Sequence, residues 1–177
     1  MSPDFTQNHF EMFALPVSFD LDTQALERAY RYLLREVHPD RFAAASDAEK
    51  RLAAQWATRA NEGYQTLKSP LKRGRYFLRI NGIDTEEESN TTMPLDFLQQ
   101  QMARREAVVD ARFARDEARL DGLAAQRLEE ERIMFEHLQL QLSSSATLGA
   151  ARLTVRKLRF LEKLGEEIDD ALEALAA

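Results

Sequence analysis

Leu26, Tyr30, Leu33 and Val37 recur at intervals of three and four, and at about 100° per residue they share one face of a helix. Arg28, Arg31 and Arg35 fall almost opposite, so TQALERAYRYLLREV predicts an amphipathic helix that begins near Asp22, a good N-cap, and runs to Val37. Leu52, Trp56, Ala60, Tyr64 and Leu67 mark the core face of a further helix, started by Ser46 with Glu49 in a capping-box spacing and ended before Ser69-Pro70. The two are joined by roughly ten residues, a connection that suits an antiparallel pair. A short helix over about Phe5 to Leu15, stopped by Pro16, precedes them, and LKRGRYFLRI follows as a fourth helix closed by the Asn81-Gly82 turn.

Apolar periodicity resumes after Pro94. Leu120, Leu123, Leu128, Phe135, Leu138 and Leu142 form one helical stripe, and Leu158, Leu161, Leu164, Ile168, Leu172 and Leu175 form another, both read as bundle core. Leu98 and Met102 share a third stripe with Val109 and Phe113, for which periodicity does not separate core from interface. Phe160 lies about 100° from Leu161, at the margin of its stripe and flanked by Arg156 and Lys163, which predicts partial exposure. Helix is predicted almost throughout, and the fold class is all-α.

With 177 residues, 44% of them hydrophobic and 31% charged, the chain is long enough to bury a core and ordinary enough to be globular. It has no cysteine, which excludes disulfides, thiolate metal sites and a cysteine nucleophile, and fits a reducing compartment; the expected location is cytoplasmic. MSPDFTQNHFEMFALPVSFD lacks a basic start and a long apolar run, and no stretch approaches the roughly 18 apolar residues of a membrane span. Residues 1–80 carry 12 Lys and Arg against 10 Asp and Glu, and 81–177 carry 12 against 20, giving +2 and −8. Between the halves lies NGIDTEEESNTTMP, so the expected organisation is a domain over 1–80, a linker over 81–93 and a second domain over 94–177. The arginine stripe raises nucleic-acid binding, but a net charge of −6 with an acidic second half argues against it.

The chemistry concentrates in REVHPDRF, where His38, Pro39 and Asp40 follow the amphipathic helix. Pro39 as a helix stop, with His38 favoured near a helix C-terminus, explains the tripeptide without any function. Chance alone places His-Pro-Asp in about 1% of chains of this length, so the context must decide. A general base oriented by a carboxylate is the enzymatic reading of His38 and Asp40. No serine sits in a nucleophile elbow, and Gly74 and Gly82 form no phosphate-cradling loop. His9, His38 and His137 match no metal motif, so neither an enzyme, a bound metal nor a cofactor is expected.

HFEMFALP, ALERAYRYLLREVHPDRF and ATRANEGYQTLKSPLKRGRYFL together resemble the J-domain family of co-chaperones over about residues 8 to 80. FLQQQMARREAVVDARFARDEARL and TVRKLRFLEKL extend the resemblance over nearly the whole chain to the HscB family, the J-domain proteins of iron-sulfur cluster biogenesis. The glycine-rich and zinc-binding regions of general J-proteins are lacking. The resemblance implies an N-terminal J-domain, an antiparallel helical hairpin with short flanking helices, and a C-terminal three-helix bundle. It also implies two partners: an HscA-type chaperone of the DnaK class, whose ATP hydrolysis His38, Pro39 and Asp40 stimulate, and an IscU-type scaffold bound by the bundle. Arg28, Arg31, Arg35 and Arg41 would face the chaperone, steering encounter in a salt-dependent way. Carried over position by position, the scaffold contacts are Leu98 and Met102 (apolar), Glu106 and Asp110 (acidic) and Phe160 (aromatic). Gln99 and Ala103 depart from the family pattern, which has an apolar and an acidic residue there, so a smaller and less charged patch is expected. A J-domain adaptor for a different client is the competing reading.

Overall fold

In the computed structural model, residues 4–42, 44–85 and 93–176 are described, and the chain divides into two compact units between Gly82 and Ile83. The described residues of both units are helical, with no strand among them. Most of the acidic stretch read as a linker, residues 86–92, lies outside the described residues.

The first unit contains α1 (His9–Met12), α2 (Thr23–Glu36), a 3-10 turn (Pro39–Phe42), α3 (Asp47–Lys68) and α4 (Pro70–Ile80). Its helix starts are set by side chains that satisfy otherwise orphaned amides. The Asp22 carboxylate accepts from Gln24 and Ala25, Ser46 and Glu49 form the reciprocal capping box, and Ser69 caps α4 with Pro70 in its first turn. Tyr30 donates to Asn61 at 2.6 Å and Tyr64 donates to Glu27, so residues farther along α2 meet residues earlier on α3 and the pair is antiparallel. Phe10, Leu26, Leu33, Trp56, Ala60, Leu67 and Tyr76 fill the space between the helices. Each buried large apolar side chain contributes roughly 1.5–3 kcal/mol relative to exposure.

Two expectations for this unit are corrected. The first helix covers only His9–Met12 instead of Phe5 to Leu15. Asp4 takes the Thr6 amide into a local turn at 2.9 Å, Asn8 and Glu11 then cap the helix, and Ala14 stands at φ 54°, outside the helical region. Leu52 is exposed, because the core face of α3 runs through Ala53, Trp56, Ala60, Gly63, Tyr64 and Leu67, with Leu52 at its edge.

The second unit is a three-helix bundle of α5 (Leu95–Phe113), α6 (Glu117–Leu142) and α7 (Leu148–Ala176), with a 3-10 turn at Ser145–Thr147 before α7. Phe97 meets Phe160 and Arg105 meets Glu167, so α5 and α7 run parallel, with α6 returning between them through short connections. Val108, Ala111, Leu120, Leu164, Ile168 and Ala171 form a core cluster, and Leu138, Leu142, Val155, Leu158 and Leu161 are also buried. A polar layer interrupts the apolar packing. Arg104 pairs with Glu130, Arg127 pairs with Glu131 at 2.9 Å, and Gly165 makes room for the Arg127 guanidinium, 3.1 Å from where a Cβ would stand. Leu128, expected in the core, is exposed, since the Arg127 and Glu131 positions hold the middle of the inward face of α6.

His9 is a titrating element of the first core. Its ring stacks on Tyr76 at 4.4 Å, its backbone N–H donates to the Tyr76 hydroxyl at 2.8 Å, and its Nδ1 is buried without a partner. Burial first, then the Arg59 and Arg79 charges, hold its pKa below the ordinary 6.5, with Glu62 opposing. The unfolded chain therefore takes up this proton before the folded one. Stability is full above the unfolded pKa and declines as pH falls through about 6.5 toward the lower folded value. The urea midpoint is expected to drop between about pH 7.5 and 5.5, and His9→Phe, which keeps the stacking but cannot protonate, to flatten that decline. An unchanged decline in His9→Phe would assign it to other groups.

Candidate functional site

The backbone between α2 and α3 places the His-Pro-Asp stretch at the end of an amphipathic helix. Val37 N–H makes the last helical bond to Leu33 at 3.2 Å, and the Arg41 N–H returns to the His38 carbonyl at 3.0 Å, closing the 3-10 turn. His38 Nδ1 lies 3.3 Å from the Asp40 amide and 3.5 Å from its carboxylate. Neutral His38 can accept from the amide, and protonated His38 can pair with the carboxylate. Both side chains face solvent, 59% and 91% exposed, so the pair is displayed on an open surface. The Pro39 side chain lies outside the described residues.

The four arginines beside this loop are all exposed, but they are not equivalent. Arg28 lies 3.7 Å from Asp22, Arg31 donates to Glu27 at 2.8 Å, and Arg41 to Glu36 at 2.5 Å. The Tyr64 hydroxyl and then Arg31 hold the Glu27 carboxyl below its usual range, which fixes Glu27 as a charged partner for Arg31. Arg35 has no carboxylate partner among the described residues. The basic stripe is thus internally balanced except at Arg35, beside His38. Tyr32, assigned to no role by the sequence pattern, is exposed on the same side of α2, about 40° from Arg28 at 100° per residue. Its position on the arginine face was legible from that spacing alone.

The stripe that holds Leu98 and Met102 lies on the second unit, along α5. Phe97, Gln101, Val108 and Ala111 turn into the bundle, whereas Met102, Val109 and Phe113 are exposed and Leu98 is half-buried. Glu106 and Asp110 are exposed on the same side, and neither is paired with a basic residue among the described residues. Phe160 is half-buried on α7 and packs edge-on against Phe97 at 5.7 Å and 89°, next to the first turn of α5. Lys157 sits over the other ring of that pair, 5.2 Å from the Phe97 centroid. The five residues expected to act together therefore line α5 and the adjoining margin of α7. Among the described residues no cluster of His, Asp and Glu suits a metal ion, and no helix is long and apolar enough to cross a membrane.

An antiparallel hairpin that presents His-Pro-Asp at its tip, followed by a separate helical bundle, defines a J-domain co-chaperone with a C-terminal helical domain. Residues 93–169 match the family model described as the HSCB C-terminal oligomerisation domain. The chain is 49% identical over 168 residues to the co-chaperone protein HscB homolog of Paraburkholderia xenovorans (strain LB400), covering 95% of each. In structure it resembles the chaperone HscB from Vibrio cholerae, with 36% identity and a TM-score of 0.85 over 96% of this chain and 99% of that one. It also resembles human co-chaperone protein HscB, with 27% identity and a TM-score of 0.90 over 100% of this chain and 87% of that one. The chain belongs to the HscB family of co-chaperones.

Because His38 is solvent-exposed and takes no part in either core, His38→Gln is expected to leave the thermal midpoint within about 2 °C of the parent, followed by circular dichroism. Loss of the helical signal in that variant would make the loop a structural element instead.

Proposed function

We propose that the chain brings an IscU-type iron-sulfur scaffold to an HscA-type chaperone of the DnaK class and stimulates that chaperone's ATP hydrolysis. Residues 1–80 act on the chaperone through His38, Pro39 and Asp40 with Arg28, Arg31, Arg35 and Arg41. Residues 94–177 hold the scaffold through Leu98, Met102, Glu106, Asp110 and Phe160, and residues 81–93 join the two. The observation that carries this reading is the pairing, in one HscB-family chain, of exposed His38 and Asp40 side chains with an outward apolar and acidic face on a second helical unit. The absence of cysteine from the sequence fits action in the cytoplasm and a cluster carried by the scaffold.

The mechanism follows from what each surface can exchange. Arg28, Arg31 and Arg41 must give up internal carboxylates before they take a partner's, so each contributes little net affinity. Arg35 gives up only water, and His38 and Asp40 next to it are presented on a short turn that loses little freedom on docking. Holding the scaffold on the same chain raises its local concentration at the chaperone, so that hydrolysis and capture coincide. The chaperone supplies the ATPase chemistry, and this chain supplies position.

Steady-state ATP turnover by an HscA-type chaperone tests the first surface. The parent chain is expected to raise turnover and His38→Gln to abolish the rise. Arg35→Ala is expected to raise the concentration for half-maximal stimulation about tenfold, and Arg31→Ala no more than about twofold. Full stimulation by His38→Gln would reject the loop as the trigger. Calorimetric titration with the scaffold tests the second surface: Met102→Ala is expected to weaken binding about fivefold without altering the helical signal. Stimulation by a chain with no scaffold affinity would leave a J-domain adaptor for another client.

A further inference from the structure

We infer that the scaffold-binding face of α5 runs the full length of the helix, so that Val109 and Phe113, beyond the residues assigned above, also contact the scaffold. This inference rests on the scaffold reading of the preceding section. Leu95, Leu98, Met102, Glu106, Val109 and Phe113 fall within about 80° of one another at 100° per residue, a single stripe roughly 27 Å long. Leu95, Met102, Val109 and Phe113 are 71%, 63%, 51% and 85% exposed, while the opposite face of α5 packs the bundle. A phenyl ring this exposed, continuous with the apolar face already assigned to the scaffold, is free to anchor a partner.

The backbone that carries Phe113 is fixed. The Ala114, Arg115 and Asp116 amides return to the Asp110, Arg112 and Ala111 carbonyls at 2.9, 3.1 and 2.9 Å, which closes the end of α5 firmly around it. A contact residue on a fixed element loses less freedom on binding than one on a loose loop.

Continuity with Leu98 and Met102, together with charge, points to the occupant. One edge of the stripe carries Glu106 and Asp110, unpaired with any basic residue among the described residues, and the other carries Arg112 and Arg105, the latter bonded to Glu167 at 3.1 Å. If two copies of this chain packed α5 against α5 antiparallel about a twofold axis, each edge would meet its own kind, acidic against acidic and basic against basic. A parallel pair would match the edges and is separated by the sedimentation below; the partner continuous with Leu98 and Met102 is a scaffold surface with an apolar centre and lysine or arginine along the side that meets Glu106 and Asp110.

Calorimetric titration of the full chain with an IscU-type scaffold, paired with sedimentation of the chain alone, tests this. Phe113→Ser is expected to weaken scaffold binding about tenfold, Val109→Ser with Phe113→Ser further, and Phe113→Leu to recover most of the loss. Leu140→Ser, at an apolar residue 70% exposed on α6, is expected to change nothing. Chaperone stimulation measured without scaffold is expected to be the same for all four variants. Parent-like affinity in the double variant, with Met102→Ala still weakened, would overturn the extension and leave the scaffold reading intact. No scaffold binding by the parent chain would overturn both. A parent dimer that the double variant dissolves, with scaffold affinity per chain unchanged, would give the stripe to a second copy and overturn the inference.

Discussion

The geometry of the surface that displays His38 and Asp40 depends on two tyrosine bonds across the α2–α3 hairpin. Tyr64 to Glu27 and Tyr30 to Asn61 hold the two helices in one register, and the tyrosine rings stack on each other at 4.1 Å. That register fixes where α2 ends and therefore where His38 and Asp40 are displayed. The same bond decides the electrostatics, because a Glu27 held charged by Tyr64 also holds Arg31. A slip by one turn would displace the loop and free Arg31 together, so packing and charge on this face are one constraint.

The bundle works under a different constraint. Its middle layer is occupied by Arg104 with Glu130 and Arg127 with Glu131, and the glycine at position 165 leaves space for the Arg127 guanidinium. Partly buried ion pairs of this kind contribute little net stability, yet a misaligned helix would strand a charge, which penalises other registers. The register they favour turns Phe97, Gln101, Val108 and Ala111 inward on α5. Its apolar outer face is the residue of that choice, available for binding because the core does not use it.

Much of this was legible in the chain. The caps at Asp22 and Ser46, the α2 core face and the displayed tripeptide follow from spacing and local chemistry, because each depends on neighbours within one turn. The first helix was overextended because the pull of Asp4 on the Thr6 amide and the left-handed Ala14 are local features that apolar periodicity does not encode. Leu52 and Leu128 were misplaced for a different reason: a stripe drawn through leucines ignores the alanine, glycine and arginine positions that centre the real faces of α3 and α6. The exposed side of α5 could not be chosen from period alone, since both Leu98 with Met102 and Phe97 with Val108 make acceptable stripes. Long-range pairing of Arg104 and Arg105 with other helices settles it.

Under the proposed function one chain couples two surfaces, and a combined assay reads that coupling. ATP turnover by an HscA-type chaperone is measured with this chain alone, with an IscU-type scaffold alone, and with both. Coupling through one chain predicts that the combined stimulation exceeds the product of the separate effects, and that this excess vanishes when the two halves are supplied by a mixture of His38→Gln and scaffold-binding-deficient chains. Separate effects that merely multiply, or full synergy from the mixture, would contradict coupling through a single chain.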